Sequence, residues 1–147
     1  MISTQLFIGI YLLISVLIVL MFFIKSKKAL SIFPDLDSVT ILFREKYASG
    51  RSNNSFLTKI GGSKKTLEVI LTTQEFWVRG NIITAAVSLK FDLIHKIPFS
   101  KIKKVERTNG SMISIYFVSE ANVNTNLELK LKNPDQFIDI LKREAHV

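Results

Sequence analysis

The hydrophobic pattern of the chain begins with one long apolar run, Leu6–Ile24, which holds nineteen residues and no charged side chain. An α-helix rises about 1.5 Å per residue, so a helix of this run would cover roughly the 30 Å hydrocarbon core of a bilayer. A helix also satisfies its own backbone hydrogen bonds, which a lipid interior requires. The run therefore predicts a single transmembrane helix that anchors the chain in a lipid bilayer.

Two alternatives to this anchor are a cleaved signal peptide and a buried helix of a soluble protein. A signal peptide has a basic start, a shorter apolar run and a cleavage site of small residues. The residues before Leu6 contain no basic side chain, and the run ends in Phe22, Phe23 and Ile24. These features favour the transmembrane anchor over both alternatives.

The charges that flank the apolar run predict its orientation. Lys25, Lys27 and Lys28 follow it directly, whereas no Lys or Arg precedes it. The positive-inside rule places such a basic flank in the cytoplasm. We therefore expect residues 1–28 to form the anchor with its basic membrane flank, Met1 to lie outside, and the rest of the chain to lie at the cytoplasmic face of the inner membrane.

After the anchor, the pattern of apolar positions changes from continuous to alternating. Residues 29–38 contain Pro34 and several turn-forming residues, which predicts a short tether. From Val39 onward, short segments rich in β-branched, aromatic and alternating apolar residues predict about seven strands. We expect residues 39–147 to form one domain.

Local signals place several strands and turns within that domain. Residues 67–71 alternate as a strand does, and Asn109-Gly110 is the strongest hairpin signal in the chain. Pro98 cannot donate to a central ladder, so residues 97–99 are expected to form an edge strand. The remaining expectations are a first strand that ends at Ala48-Ser49-Gly50, a turn over residues 61–65, and a strand with a loop over residues 82–94.

The C-terminal segment has the pattern of an amphipathic helix. Asn133 is a favourable N-cap residue, and Pro134 fits the first helical position. Phe137, Ile140 and Leu141 follow at helical spacing and form an apolar stripe. One such helix cannot bury its stripe alone, so we expect it to pack on the sheet.

Three segments carry a resemblance to a known family: residues 67–80 (LEVILTTQEFWVRG), 95–106 (HKIPFSKIKKVE) and 133–137 (NPDQF). Together with the strand pattern, they resemble the pleckstrin-homology (PH)-like superfamily in its bacterial PH and GRAM-like branch. The resemblance implies an α+β fold in which a seven-stranded β-barrel or sandwich is capped by a C-terminal helix. It also implies binding of phosphoinositides, peptides or other proteins, without choosing among them.

Composition adds a strong basic character to the part of the chain after the anchor. All 20 Lys and Arg residues and all 12 Asp and Glu residues follow Ile24, so this part carries the whole net charge of +8. Such an excess suits anionic lipid or an acidic protein partner. Nucleic acid is not expected, because the chain has neither a basic tail nor a recognition helix. The absence of Cys excludes disulfides and thiol catalysis.

The densest basic run is the first candidate site, as a contact for a lipid headgroup or an acidic partner. The alternative is a solvated strand and loop. A second, weaker phosphate candidate is the pair Lys64-Lys65 beside Gly61-Gly62, although the spacing of a phosphate-binding loop is missing. The basic run consists of Lys96, Lys101, Lys103, Lys104 and Arg107.

Trp77 and Arg79 are candidates for anchoring a protein partner. Trp77 is the only tryptophan, and on a strand it shares a face with Glu75 and Arg79. Exposed, it would suit a protein interface. The alternative is that it packs beneath the C-terminal helix.

No pattern in the chain points to catalysis, a metal site or a cofactor. The two histidines, His95 and His146, are far apart in sequence and lie near no carboxylate cluster. We therefore expect a membrane-anchored interaction module, an accessory or scaffolding subunit that is not an enzyme and that holds a partner protein at the inner face of the membrane. The alternative is a sensor of anionic lipid headgroups.

Overall fold

The computed structural model describes residues 4–147, apart from the side chain of Leu57. Met1, whose side of the membrane is predicted above, lies outside these residues. The helices are α1 (Thr4–Leu30), α2 (Phe56–Ile60), α3 (Ala85–Lys90) and α4 (Pro134–Ala145). The strands are β1 (Ile41–Ser52), β2 (Ser63–Thr72), β3 (Glu75–Gly80), β4 (His95–Pro98), β5 (Ile102–Asn109), β6 (Met112–Val118) and β7 (Asn124–Lys130). Short 3-10 turns cover Leu36–Ser38 and Phe99–Lys101.

Helix α1 contains the whole apolar run and continues past the basic flank to Leu30. Its apolar side chains from Leu6 to Ile24 are exposed. It is the one helix among the described residues that is long and apolar enough to cross a membrane, and length and composition alone also fit a signal sequence. This segment therefore carries a large apolar surface that water would not solvate well.

The seven strands form one antiparallel sheet in the order β4-β3-β2-β1-β7-β6-β5. The expected α+β fold is confirmed, and β4 lies at an edge, as Pro98 predicts. Strands β4 and β5 stand at opposite ends of this order, which in a flat sheet would be about 29 Å apart. Only the turn Phe99–Lys101 joins them, and four Cα steps reach about 14 Å at most. The open sheet must therefore curl until its edges approach.

Three local expectations differ from the structure. Strand β1 does not end at Ala48-Ser49-Gly50 but continues to Ser52, with register shifts near Ala48 that bend it. Strand β2 begins at Ser63, inside the expected turn.

The third difference is α3, where a strand was expected, and that prediction is wrong. Asn81 Oδ1 accepts hydrogen bonds from the backbone N–H groups of Ile83 and Thr84, both 2.9 Å, and so satisfies donors at the start of the helical turn. Thr84 Oγ1 also donates to this oxygen. The Asn81 side chain thus favours a helix in a segment whose pattern of apolar residues is also typical of a strand.

The main core lies between the concave face of the sheet and α4. The Phe137 ring meets the rings of Phe43 and Phe76 edge-on, with centroids 5.4 and 5.6 Å away. Leu129 and Leu141 are fully buried in the same cluster. The prediction that the apolar stripe of the C-terminal helix packs on the sheet is confirmed.

The start of α4 is held by a side chain from β1. Asn133 is the N-cap residue, as expected, but its own side chain makes no capping hydrogen bond to a described residue. Instead, the buried Glu45 carboxylate accepts the backbone N–H groups of Lys132 and Asn133, at 2.7 and 3.2 Å. This carboxylate from a distant strand thus holds the N-cap residue and the residue before it.

A second apolar cluster covers the opposite face of β2 and β3. Ile70 and Trp77 point to this face, because their neighbours along each strand point into the main core. Ala29 and Phe33 pack on them, together with Ala85 and Ile94. The residues expected to form a tether, 29–38, therefore lie against the sheet.

Candidate functional site

The basic run predicted as a headgroup or acidic-partner site is largely compensated by neighbouring acidic side chains. Lys96 Nζ lies 3.6 Å from Glu75 Oε2, and Lys104 Nζ lies 2.5 Å from Glu106 Oε2. The Lys104 ion pair, with help from the Tyr116 hydroxyl, lowers the pKa of Glu106. These lysines have internal partners and do not present a bare positive face.

Of the other three residues in the run, one is paired and two are not. Arg107 pairs with Asp135 and donates from Nε to the carbonyl oxygen of Gly110, at 2.6 Å. Lys101 and Lys103 form no ion pair with any residue from 4 to 147. A register shift between Ile102 and Lys104 lets Lys103 bulge out of the ladder. The structure therefore leaves two of the five side chains uncompensated.

Trp77 is placed in the interior. Its side chain is fully buried in the second cluster, and the Phe33 ring lies 5.5 Å away, between centroids. Its Nε1–H donates to Glu75 Oε2 at 2.8 Å. It packs beneath Phe33 and Ala29, on the sheet face opposite α4, so in this structure it is neither an exposed anchor nor part of the α4 contact.

Arg79 belongs to a three-residue charge cluster on the outer face of β1, β2 and β3. Glu68 accepts hydrogen bonds from Arg44 Nε at 2.6 Å and from Arg79 Nε at 2.7 Å. Burial raises the pKa of Glu68, but the hydrogen bonds and charges of both arginines outweigh it, so the net pKa is lowered. Glu68 therefore joins the three strands, and Arg79 links β3 to β2 through it.

A Ser, an Asp and a His come together near the end of β1 without forming a nucleophile–base pair. Ser52 Oγ donates to Asp92 Oδ2 at 2.7 Å. The His95 ring, through Nε2, bonds to the Asp92 carbonyl oxygen at 2.7 Å, not to the serine. The group fixes the loop after α3 against β1.

The structure assembles a different basic surface from residues distant in sequence. It is a groove of about 640 Å³ beside α2, hereafter the basic groove. Side chains from β1, α2, β2, β6 and β7 line it. They include Arg51, Lys59, Ile60, Lys64, Met112 and Lys130.

Two glycines shape the floor of the basic groove. A Cβ added to Gly62 would lie 2.9 Å from the carbonyl oxygen of Gly50, and a Cβ on Gly50 would lie 2.7 Å from a Leu129 methyl carbon. A side chain at Gly62 would press on the β1 backbone, and one at Gly50 would press on the Leu129 and Leu67 side chains. The close approach of these backbones leaves room for the groove above them.

Helix α2 forms one wall of the groove and has its own cap. Ser55 Oγ accepts the backbone N–H of Thr58 at 3.3 Å, and Thr58 Oγ1 accepts the backbone N–H of Ser55 at 2.8 Å. This reciprocal pair is the geometry of a capping box. It orients a five-residue helix whose apolar side chains Phe56 and Ile60 are 76% and 72% exposed.

The charges of the basic groove are mostly uncompensated. Arg51 is the exception: its Nε donates to Glu128 Oε2 at 2.6 Å, and this bond lowers the pKa of Glu128. Lys59, Lys64 and Lys130 form no ion pair within the described part of the chain. These three lysines therefore line the groove together with the apolar side chains of Ile60 and Met112.

The sequence interpretation missed this groove. The sequence places Lys64 beside the glycine pair, whereas only the β1–β7 register brings Lys130 close to it. There, Ser49 pairs with Lys130 across 81 residues of chain. No local motif signals that pairing.

The basic groove is near the end of the sheet from which α1 projects. In an antiparallel meander, the β1–β2 and β3–β4 connections leave at the same end, and they contain α2 and α3. The hydroxyl of Ser26, in α1, accepts the backbone N–H of Ala86, in α3, at 3.0 Å. The groove and the emerging apolar helix thus share one end of the β1–β4 half of the sheet.

Comparison with models of known protein families finds no matching family, and comparison with curated proteins finds no matching sequence. The element order, a seven-stranded antiparallel sheet closed by a C-terminal helix, is compatible with a PH-like fold.

Proposed function

We propose that this chain is a single-pass membrane protein with a PH-like domain, an accessory module that holds a partner protein at the membrane surface. The domain lies at the inner face of the membrane, as the lysines after the apolar run favour. The partner segment is acidic and apolar, and it occupies the basic groove. The proposal assigns no catalytic step to the chain.

The support for a retained anchor is the packing at the end of α1. Ser26 and Ala29 are buried against α3, and Phe33 covers Trp77. Removal of α1 with the segment after it, as a leader would be removed, would uncover a fully buried tryptophan. A cleaved signal sequence has no reason to contribute to the core of the mature domain, so this packing favours an anchor.

The support for a protein partner is the mixed chemistry of the groove. Lys59, Lys64 and Lys130 would pair with carboxylates, while Ile60 and Met112 would cover apolar side chains. Exposed aromatic and apolar side chains surrounded by charge are typical of protein interfaces. Because the groove opens near the emerging helix, the segment beside the membrane span of another membrane protein would be within reach.

The observation that carries the proposal is this unpaired lysine triplet on a domain docked to its own anchor. We would test it by placing a photo-crosslinking amino acid at Ile60 in the full chain, in native membranes. The expected result is a discrete protein adduct that is lost when Lys59, Lys64 and Lys130 are all replaced by Gln. The matched control replaces Lys101, Lys103 and Lys142 by Gln, which removes the same charge elsewhere and should preserve the adduct.

The position of the groove near the emerging helix α1 favours one alternative ligand, an anionic lipid headgroup. Lysines near a membrane surface each contribute about 1 kcal/mol toward anionic lipid. In the same experiment this alternative predicts lipid adducts alone, which would contradict the protein proposal. An adduct that survives the groove substitutions but disappears in the control would exclude the groove for either ligand.

A further inference from the structure

Helix α3 and the turn before it expose an unusual amount of apolar surface. Within residues 82–89, Ile83 is 79% exposed, Val87 is 45% exposed and Leu89 is 53% exposed. The other side of the same short helix, at Ala85 and Ser88, is buried against the domain. The exposed side therefore has no protein packed over it within residues 4–147.

The position of this surface is fixed relative to α1. The backbone N–H of Ala86 donates to Ser26 Oγ at 3.0 Å, and Ala85 packs in the same cluster as Ala29. Ser26 comes only two residues after Ile24, where the apolar run ends, which is about 3 Å along the helix axis. Helix α3 is thus held beside the turn of α1 at which the apolar run gives way to lysines.

The charge of the segment matches this position. Residues 81–91 contain no Asp or Glu and one basic residue, Lys90, at the end of α3. Lys25, Lys27 and Lys28 lie in the neighbouring turns of α1. A short apolar surface bordered by lysines is the composition of a segment that lies in the interface of a bilayer.

We propose that the segment 82–90 lies in the headgroup region of the bilayer that α1 spans, with Ile83 and Val87 in contact with the upper acyl chains. This inference rests on the proposed membrane anchor. It gives the domain a second contact with lipid, beside the helix and distinct from the basic groove. The occupant is lipid because the apolar surface is held at the end of the apolar run of α1 and is bordered by lysines.

The chain has no cysteine, so single-cysteine variants can be labelled without background. We would label the full-length Ile83→Cys and Val87→Cys variants with an environment-sensitive fluorophore and reconstitute each into vesicles of phosphatidylcholine and phosphatidylglycerol. Quenchers would be lipids with nitroxides at shallow or deep acyl positions and iodide in the water. Val16→Cys, in the middle of α1, and Thr73→Cys, in the β2–β3 turn at the opposite end of the meander, are the controls.

The expected result is that labels at positions 83 and 87 emit at shorter wavelength than a label in water. Their fluorescence should be quenched by the shallow nitroxide lipid and little affected by iodide. The label at 73 should show the reverse, and the label at 16 should be quenched by the deep nitroxide. Labels at 83 and 87 that iodide alone quenches, with normal quenching at 16, would overturn this inference and leave the anchor standing. Labels that neither lipid nor iodide quenches would assign the surface to a protein contact and overturn it equally. Absence of lipid quenching at 16 would overturn the anchor itself.

Discussion

At the residue scale, the contact between Phe33 and Trp77 connects the segment after α1 to the domain. Replacing Phe33 with Ala removes a buried ring from the second cluster, which should lower the free energy of unfolding by about 3 kcal/mol. Because Trp77 is the only tryptophan, its fluorescence should also shift to longer wavelength as water reaches the indole. Denaturant unfolding of the full chain in detergent micelles, followed by this fluorescence, measures both.

Ile32→Ala is the matched control for that change, because Ile32 is next in the chain but half exposed. It should leave the emission maximum in place and cost little stability. If Phe33→Ala behaves like Ile32→Ala, the segment 29–38 is a loose tether after all.

The second residue-scale prediction concerns Glu68, which accepts hydrogen bonds from Arg44 and Arg79. Glu68→Gln should lower the free energy of unfolding by about 1–2 kcal/mol near neutral pH, since both arginines lie partly in solvent. The folded pKa of Glu68 is below its ordinary 4.5, so its ionised form stabilises the fold fully above that pH. That contribution is lost as the pH falls through the folded pKa.

The stability difference between wild type and Glu68→Gln should therefore shrink below about pH 4.5. Chemical unfolding at a series of pH values measures it. Exposed Glu120, changed to Gln, provides the control and should show no such difference. A stability difference between wild type and Glu68→Gln that stays constant down to pH 3 would mean that the two arginines do not bind the Glu68 carboxylate when the protein is in solution.

At the element scale, α4 is the element on which the main core depends. Phe137→Ala should cost about 3–5 kcal/mol, because the ring is fully buried between Phe43 and Phe76. Asp139→Ala, on the exposed side of the same helix, should change stability by less than about 0.5 kcal/mol. Denaturant unfolding compares the two. A loss below about 1 kcal/mol for Phe137→Ala would show that α4 is not docked as described.

Elements whose signals are local were predicted well from the sequence. The alternation in β7, the Asn-Gly turn between β5 and β6 and the amphipathic stripe of α4 all depend on residues close in the chain. Helix α3 was missed because its apolar residues fit a strand equally well and one side chain, Asn81, decides between the two.

The features missed altogether depend on pairing across long stretches of chain. The basic groove needs Lys130 beside Ser49, and the start of α4 is held by Glu45, 87 and 88 residues away. A similar limit applied to the basic run between Lys96 and Arg107. Its charge was visible, but its acidic partners in other strands and in α4 were not. Charge can be counted from a sequence, whereas compensation of charge is a property of the fold.

At the scale of the whole molecule, the orientation of the chain is open to a direct experiment. Single cysteines at Ser3 and Thr73 should react oppositely with a membrane-impermeant thiol reagent on intact cells. Ser3→Cys should be labelled and Thr73→Cys should not, because the positive-inside rule predicts that the domain is cytoplasmic. Permeabilised cells, in which both should react, provide the control. Labelling of Thr73→Cys alone on intact cells would reverse the orientation.

The packing of Ser26, Ala29 and Phe33 against the domain also has a mechanical consequence. Transmembrane helices change their tilt when bilayer thickness changes. Since the segment that follows α1 packs on the sheet, the helix and the domain must tilt together as one rigid unit. For a domain about 30 Å across, a 10° change of tilt moves its far side by about 5 Å. With α1 across the bilayer, as proposed, bilayer thickness would thereby set the height and angle of the basic groove relative to the membrane surface.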